Sequence, residues 1–251
     1  MTLADHLREL RYRLIVVALA IIIAASLAAI WYEQLYAVMM HPYQLAVEML
    51  KQTNPDITAT TVISGVTAPF MLVLQIAVVA GLVLSSPVWL YQLWAYIAPA
   101  LLVKEKRYAL GFLGAAIPLF LLGVVIGYYI LPQGIAVMLA FTPASVTNLL
   151  EINDFLKLTL QLMVVFGLGF LMPVVIVGAN LMGVVKAQQL AKARTYVIFG
   201  TFVFGAAATP SSDPFSMLAL ALPMTVLFLI AEVICHFHDR RVARPTVEAT
   251  G

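Results

Sequence analysis

The sequence predicts an all-α integral membrane protein with six transmembrane helices. Of its 251 residues, 63% are hydrophobic and only 10% are charged, whereas a soluble domain carries about 25% charged residues. The mean hydropathy is +1.01. So few polar residues cannot cover a water-soluble core, which excludes soluble, disordered and collagen-like proteins. The net charge of +2 gives no reason to expect a nucleic-acid partner.

Long apolar stretches define the predicted spans. A transmembrane helix needs about 20 apolar residues, and the polar, proline-bearing segments 58–69 and 142–148 between such stretches are typical of loops. The predicted spans are 14–32, 69–98, 108–130, 155–182, 195–208 and 215–235. We expect them to form a single domain over 1–251, in which 239–251 is a disordered cytoplasmic tail.

Prolines and glycines inside the spans predict how the helices bend and pack. Each proline removes a backbone donor and permits a kink. Gly123 and Gly127 form a small-xxx-small pair, which allows close contact between helices. We therefore expect several kinked helices, the kinks lying at Pro87, Pro118, Pro173 and Pro223.

The basic residues predict the orientation in the membrane. Cytoplasmic loops are enriched in Lys and Arg, and only Lys51 and Lys157 fall on the opposite side of the predicted spans. Both termini are therefore predicted to be cytoplasmic. The basic residues on the cytoplasmic side are Arg8, Arg11, Arg13, Lys104, Lys106, Arg107, Lys186, Lys192, Arg194, Arg240, Arg241 and Arg244.

The sequence lacks the patterns that indicate an enzyme. It has no HExxH motif, paired metal ligands, P-loop or GxSxG motif, so we expect no catalytic residue, metal or cofactor. An ion-coupled transporter would carry ionisable groups at mid-membrane. Only Glu232 lies inside a predicted span, near its cytoplasmic end, where snorkelling or pairing with Arg240 explains it at least as well as a proton relay does.

Two acids on the predicted cytoplasmic face have both a structural and a functional interpretation. Residues 1–14 form an amphipathic interfacial helix, in which Glu9 can pair with Arg13 at i,i+4. Glu105 lies in the short loop 101–108 among three basic residues. Each acid either balances its basic neighbours or binds a ligand, and the residues alone do not choose between these roles.

Four segments give the sequence a family resemblance. The segments 5–14, 84–108, 166–177 and 194–223 resemble the amino terminus, the second helix with the following loop, the fourth helix and the last two helices of TatC. TatC is the multispanning subunit of the twin-arginine protein translocase. The resemblance is collinear and covers nearly the whole chain, and its length and six spans agree with the prediction above.

The resemblance implies a signal receptor and translocase core in the inner cell membrane. Such a protein binds the twin-arginine signal peptides of folded precursors, associates with other copies of itself, and recruits the single-span proteins TatA and TatB. Folded cargo then crosses at the expense of the proton-motive force. A secondary transporter or permease for a small solute is the alternative, but it should carry its functional polar groups at mid-membrane instead of on the cytoplasmic face.

The family's functional residues map onto eight positions of this sequence. The resemblance assigns signal-peptide binding to Glu9, Glu105, Arg11 and Tyr96, and a partner or structural role to Pro42, Asp213, Met217 and Glu232. Pro42 is expected in the first outer loop and Asp213 in the loop before the last span. The sequence departs from the family in two places, since Leu171 replaces a frequent Glu beside the proline of the fourth helix and Met217 replaces a frequent Gln.

Overall fold

The computed structural model describes residues 3–53, 59–97, 105–141, 148–208 and 214–243. Almost all of them are helical, which confirms the predicted fold class. The helices are α1 (Leu3–Ala28), α2 (Tyr32–Thr53), α3 (Ala68–Leu84), α4 (Ser86–Ile97), α5 (Glu105–Ala140), α6 (Ile152–Phe170), α7 (Met172–Leu181), α8 (Ala187–Ala208) and α9 (Pro214–Ala243). A 3-10 turn over Ala29–Trp31 joins α1 to α2, and the strands are β1 (Ala59–Val62) and β2 (Asn148–Glu151).

Four described helical stretches are long and apolar enough to cross a membrane. They are Asp5–Gln52, Gly111–Ala140, Ile152–Leu181 and Met217–Arg241. The bent pair Ala68–Leu84 and Ser86–Tyr96 adds a fifth if it crosses as one span. The predicted span 195–208 lies within α8, which is not among these candidates. The protein is therefore a multispanning membrane protein, and the count of six stays a prediction.

The chain divides into two compact units. The first contains Met1–Ala100 and Val124–Val165, and the second contains Leu101–Gly123 and Phe166–Gly251. In the first unit α1 packs against both α3 and α4. An added Cβ on Gly81 of α3 would lie 2.6 Å from the backbone nitrogen of Ala25 on α1, so only glycine permits this approach. The single domain over 1–251 stays a prediction.

Helix α2 occupies a segment that we expected to be an outer loop. Its apolar residues recur every three or four positions instead of forming an unbroken run, so a search for long runs does not detect it. The buried ones are Met39, Met40, Tyr43, Ala46 and Leu50. Pro42 lies inside this helix and is fully buried, and the placement of Pro42 in a loop is therefore wrong.

Two short strands replace parts of the other predicted loops. Strands β1 and β2 pair in parallel, with Ala59 opposite Asn148 and Val62 opposite Glu151. The loop prediction is therefore wrong for 59–62 and for Asn148, and 142–147 lie outside the described residues. Partners that are nearly ninety positions apart leave no local pattern from which the pairing can be predicted.

Helix breaks occur at two of the four prolines in the predicted spans. Helices α3 and α4 meet at 59°, with the break at Ser85, just before Pro87. The indole of Trp89 donates to the carbonyl of Leu82 at 3.0 Å, which satisfies an acceptor near the end of α3. A second break separates α6 from α7 just before Pro173. In contrast, α5 and α9 run without interruption through Pro118 and Pro223.

The second unit is built around α9, against which α7 and α8 pack. Its buried cluster contains Ala187, Leu190, Phe228 and Cys235. In the same unit, an added Cβ on Gly123 of α5 would lie 2.5 Å from the carbonyl oxygen of Phe166 on α6. The close contact predicted from the glycine spacing is thus present at Gly123.

Helix α9 continues into the predicted tail. It ends at Ala243, and Asp239 accepts hydrogen bonds from the backbone nitrogen of Ala187 at 2.8 Å and from the side chain of Asn180 at 2.9 Å. A carboxylate at this position satisfies a free N–H at the start of α8. The first part of the predicted tail is therefore structured, and residues 244–251 lie outside the described residues.

Candidate functional site

Glu9 lies on α1 in a largely shielded ion pair. The Nε and Nη2 atoms of Arg13, one turn further along the helix, donate to Glu9 Oε1 at 3.1 and 2.5 Å. The Arg13 and Glu9 side chains are only 19% and 23% exposed. The predicted i,i+4 pair is thus confirmed, and its shielding makes it stronger than a pair in open water.

Gln92 ties this ion pair to a second helix. Its Oε1 atom, on α4, accepts a hydrogen bond from Arg13 Nη1 at 3.1 Å. Arg13 therefore uses three nitrogens on two acceptors, which fixes the plane of its guanidinium. The sequence alone gives no sign of a role for Gln92, because only the packing of α1 against α4 brings it to Arg13.

A second contact joins the same two helices closer to the amino terminus. The hydroxyl of Tyr96 lies 2.6 Å from His6 Nε2, and the two rings stack with centroids 4.8 Å apart. His6 precedes Glu9 by one helical turn, as Tyr96 follows Gln92 by one turn. Glu9 therefore lies between two contacts that hold α1 against α4, and Tyr96 forms one of them.

The described contacts do not bring Arg11, Glu105 or Asp213 into this cluster. Arg11 lies on the exposed side of α1, and within the described residues no hydrogen bond joins it to Glu9 or Tyr96. Glu105 is the first residue of α5, so its placement in a loop is wrong, and its side chain lies outside the described part of the structure. Asp213 lies outside the described residues as well.

Met217 is a packing residue at the start of α9. An added Cβ on Gly205 of α8 would lie 3.0 Å from the backbone oxygen of Met217 and 3.5 Å from its Cγ. The two helices therefore approach closely where the family frequently has a polar side chain. This contact fits the structural part of the role that the resemblance assigns to Met217.

Glu232 is buried in a two-bond ion pair with a neighbouring helix. Arg194 on α8 donates from Nη2 to Oε1 at 2.7 Å and from Nε to Oε2 at 3.0 Å. The expected pairing with Arg240 is wrong, because that residue lies two turns further along the same helix and Arg194 lies alongside. The hydrogen bond to Glu232 raises the pKa of Arg194. An ion pair held by two hydrogen bonds favours a structural role for Glu232 over a proton relay.

Across the ranges that the structure describes, no three His, Cys, Asp or Glu side chains are grouped so as to hold a metal ion. The α1–α4 surface presents a carboxylate, a guanidinium, an amide and a stacked His–Tyr pair. These groups can donate and accept hydrogen bonds.

Comparisons with known proteins agree with this architecture. A family model described as Sec-independent protein translocase protein (TatC) matches residues 5–223. The TatC protein of Frankia casuarinae is 39% identical over 248 residues, which cover 97% of this chain and 68% of the relative. The TatC protein of Escherichia coli K12 is 32% identical over 237 residues, which cover 94% of this chain and 88% of the relative.

Solved structures show the same fold. Two crystal structures of the twin-arginine translocase receptor TatC, the second in DDM, match with TM-scores of 0.76 and 0.77 at 31% and 32% identity. Each match covers 92% of this chain, and the matches cover 98% and 99% of the solved chains. This agreement of sequence and fold over nearly the whole length shows that the chain belongs to the TatC family of Sec-independent protein translocase proteins.

Proposed function

We propose that this chain is the receptor and core subunit of a twin-arginine translocase, which binds signal peptides through Glu9 and Glu105. The observation that carries the proposal is the state of Glu9, a largely shielded carboxylate at the contact of α1 with α4. Its Oε1 atom is engaged by Arg13, whereas within the described residues no hydrogen bond reaches Oε2. An incoming guanidinium therefore has an acceptor at this surface.

The chemistry of arginine explains why a receptor of this kind uses carboxylates. A guanidinium presents a planar fork that meets a carboxylate with two parallel hydrogen bonds, and lysine cannot reproduce it. A fully exposed ion pair contributes only about 0–1 kcal/mol. Hydrogen bonds to charged groups that are partly removed from water contribute about 1.5–3 kcal/mol. Because Glu9 is largely shielded from water, we expect the larger contribution, about 1.5–3 kcal/mol, for its hydrogen bonds to the signal's arginines.

The other residues that the resemblance assigns complete the proposal. Tyr96 supplies an aromatic surface one turn from Gln92, and Arg11 lies close to Glu9 in the sequence. Pro42, Asp213, Met217 and Glu232 support the fold or the contact with TatA and TatB. The chain associates with further copies of itself, and transport uses the proton-motive force. The family is a translocase receptor subunit and not an enzyme, so membership favours this function over a permease.

The site requires that α1 begins on the cytoplasmic side of the inner cell membrane. We therefore expect reporters fused at Lys104 and Lys192 to give a cytoplasmic signal, and reporters fused at Lys51 and Asp154 to give an outside signal. The reason is the large excess of basic residues on the first side. Alkaline phosphatase and a cytoplasm-active fluorescent protein at each position measure this, and a reversed pair would remove at least two spans from the topology.

Photo-crosslinking tests the receptor function. A photoreactive residue at position 12 or 108, in place of a tyrosine three residues after each acid, should give an adduct with a twin-arginine precursor, because Glu9 and Glu105 stay in place to contact the signal. The matched control is position 31, where Trp31 is 55% exposed in the 3-10 turn that follows α1. An excess of twin-arginine peptide should remove the adducts, and a twin-lysine peptide should not. Adducts of equal yield from position 31, or adducts insensitive to both peptides, would contradict the proposal.

A further inference from the structure

The contacts of Arg13 indicate that Glu9 already holds a guanidinium before any signal peptide arrives. We propose that Arg13 is a resident competitor: it occupies Glu9 in the empty receptor, and the signal's arginine takes its place there. This inference rests on the proposed function, because it concerns the same carboxylate. It makes Arg13 and Gln92 residues that set the affinity for the signal.

The geometry of the pair supports competition. Arg13 places Nε and Nη2 on the single oxygen Oε1 of Glu9, at 3.1 and 2.5 Å. The two side chains are 19% and 23% exposed, so water screens their charges only in part. A second cation that approaches Glu9 therefore meets a carboxylate whose charge is already neutralised, and it meets the positive charge of Arg13 as well.

Gln92 gives the displaced guanidinium a partner. Its Oε1 atom accepts from Arg13 Nη1 at 3.1 Å, and an amide oxygen is neutral, so it holds Arg13 without competing strongly with Glu9 for it. A shielded guanidinium that lost every partner would be costly. Arg13 can therefore release Glu9 and stay bonded to α4, which lowers the free-energy cost of exchange.

An exchange of this kind discriminates between arginine and lysine. When one guanidinium replaces another on Glu9, the hydrogen bonds that are broken form again with the new group. The free-energy change of the exchange is therefore close to zero. An ammonium group is a compact point charge that lacks the planar fork, and it restores fewer of them. Arg13 lowers the affinity of both signals by the same displacement cost, and the preference for arginine comes from the planar fork that Glu9 accepts.

The test measures the binding of two peptides to membranes that contain the full chain. The peptides are identical signals with Arg-Arg or Lys-Lys at the twin position. With Arg13→Gln we expect both peptides to bind roughly three- to tenfold tighter, because neither has to displace a resident guanidinium and a nearby like charge is removed. The ratio of the two affinities should stay close to that of the wild type, because the displacement cost is common to both peptides. Gln92→Leu should weaken Arg-Arg binding several-fold, because displaced Arg13 has no partner.

Two further variants separate the possible failures. If Arg13→Gln does not fold, Arg13→Lys keeps the charge without the fork, and it should also bind both peptides more tightly than the wild type does. Unchanged affinities, or a loss for both peptides, would overturn the exchange, because Arg13 would then only position Glu9. Glu9→Gln tests the underlying function: unchanged Arg-Arg binding there would overturn the proposed site itself, whereas weakened binding there, with no gain from Arg13→Gln, would overturn the exchange alone.

Discussion

Glu105→Gln is expected to weaken the binding of a twin-arginine signal by about 1.5–3 kcal/mol, the range for a hydrogen bond to a charged group. The amide keeps the shape of the side chain. It loses the negative charge and one of the two oxygens that accept hydrogen bonds from the guanidinium. The amount of protein in the membrane should hardly change, because we assign this residue to a ligand contact and not to the core. Binding of fluorescent signal peptides to membranes that contain each variant measures the effect.

The comparison of signals makes this prediction specific. A Lys-Lys signal should bind poorly to the wild type, and it should lose less on Glu105→Gln, because its two-bond contact never formed. Glu105→Arg serves as the second variant and should be worse than Glu105→Gln, since it adds like charge beside Lys104, Lys106 and Arg107. Equal losses for the two signals would mean that Glu105 acts only through net charge, and its assignment as a contact would have to be withdrawn.

Gly123→Leu is expected to destabilise the folded protein by about 3 kcal/mol or more, at or beyond the upper end of the usual cost of overpacking. The reason is that a Cβ at this position would lie 2.5 Å from the carbonyl oxygen of Phe166 and 2.9 Å from the Cα of Gly167. Both atoms belong to the backbone of α6, so no side-chain rotation relieves the contact. Denaturant titration of the purified protein in detergent, followed by circular dichroism, measures the loss.

Gly114→Leu is the matched control for this substitution. Gly114 lies on the same helix, α5, and an added Cβ there meets no atom within 4 Å. Leucine also has a higher helix propensity than glycine, so the control should be neutral or slightly stabilising. A loss as large in Gly114→Leu as in Gly123→Leu would mean that the damage comes from added bulk at the lipid surface, and not from the close approach of α5 and α6.

Local features of the sequence predicted a substantial part of the structure. Composition alone assigns the chain to membrane proteins, because a bilayer removes the need for a polar surface. The Glu9–Arg13 pair follows from helical spacing, since residues four apart share a face. The break before Pro87 follows from the missing backbone donor. Each of these inferences depends on residues that are close in sequence, and for such residues spacing already fixes the geometry.

The same reasoning did not predict helix α2. A rule based on unbroken apolar runs detects helices that face lipid, whereas α2 buries only one side and keeps Glu33, Glu48 and Lys51 exposed. Its pattern is that of an amphipathic helix of a soluble protein. Hydrophobic periodicity, applied to the segment between the first two predicted spans, would have found it.

What the sequence by itself determined is the class of the protein, most of its helices and the helical pairing of Glu9 with Arg13. Only the tertiary structure decided that Gln92 is the other partner of Arg13, that Arg194 and not Arg240 pairs with Glu232, and that β1 lies beside β2. These partners are separated by between 38 and 89 positions in the chain. Such contacts depend on how helices and strands pack, and the packing is set by side-chain shape over the whole unit and not by any local spacing.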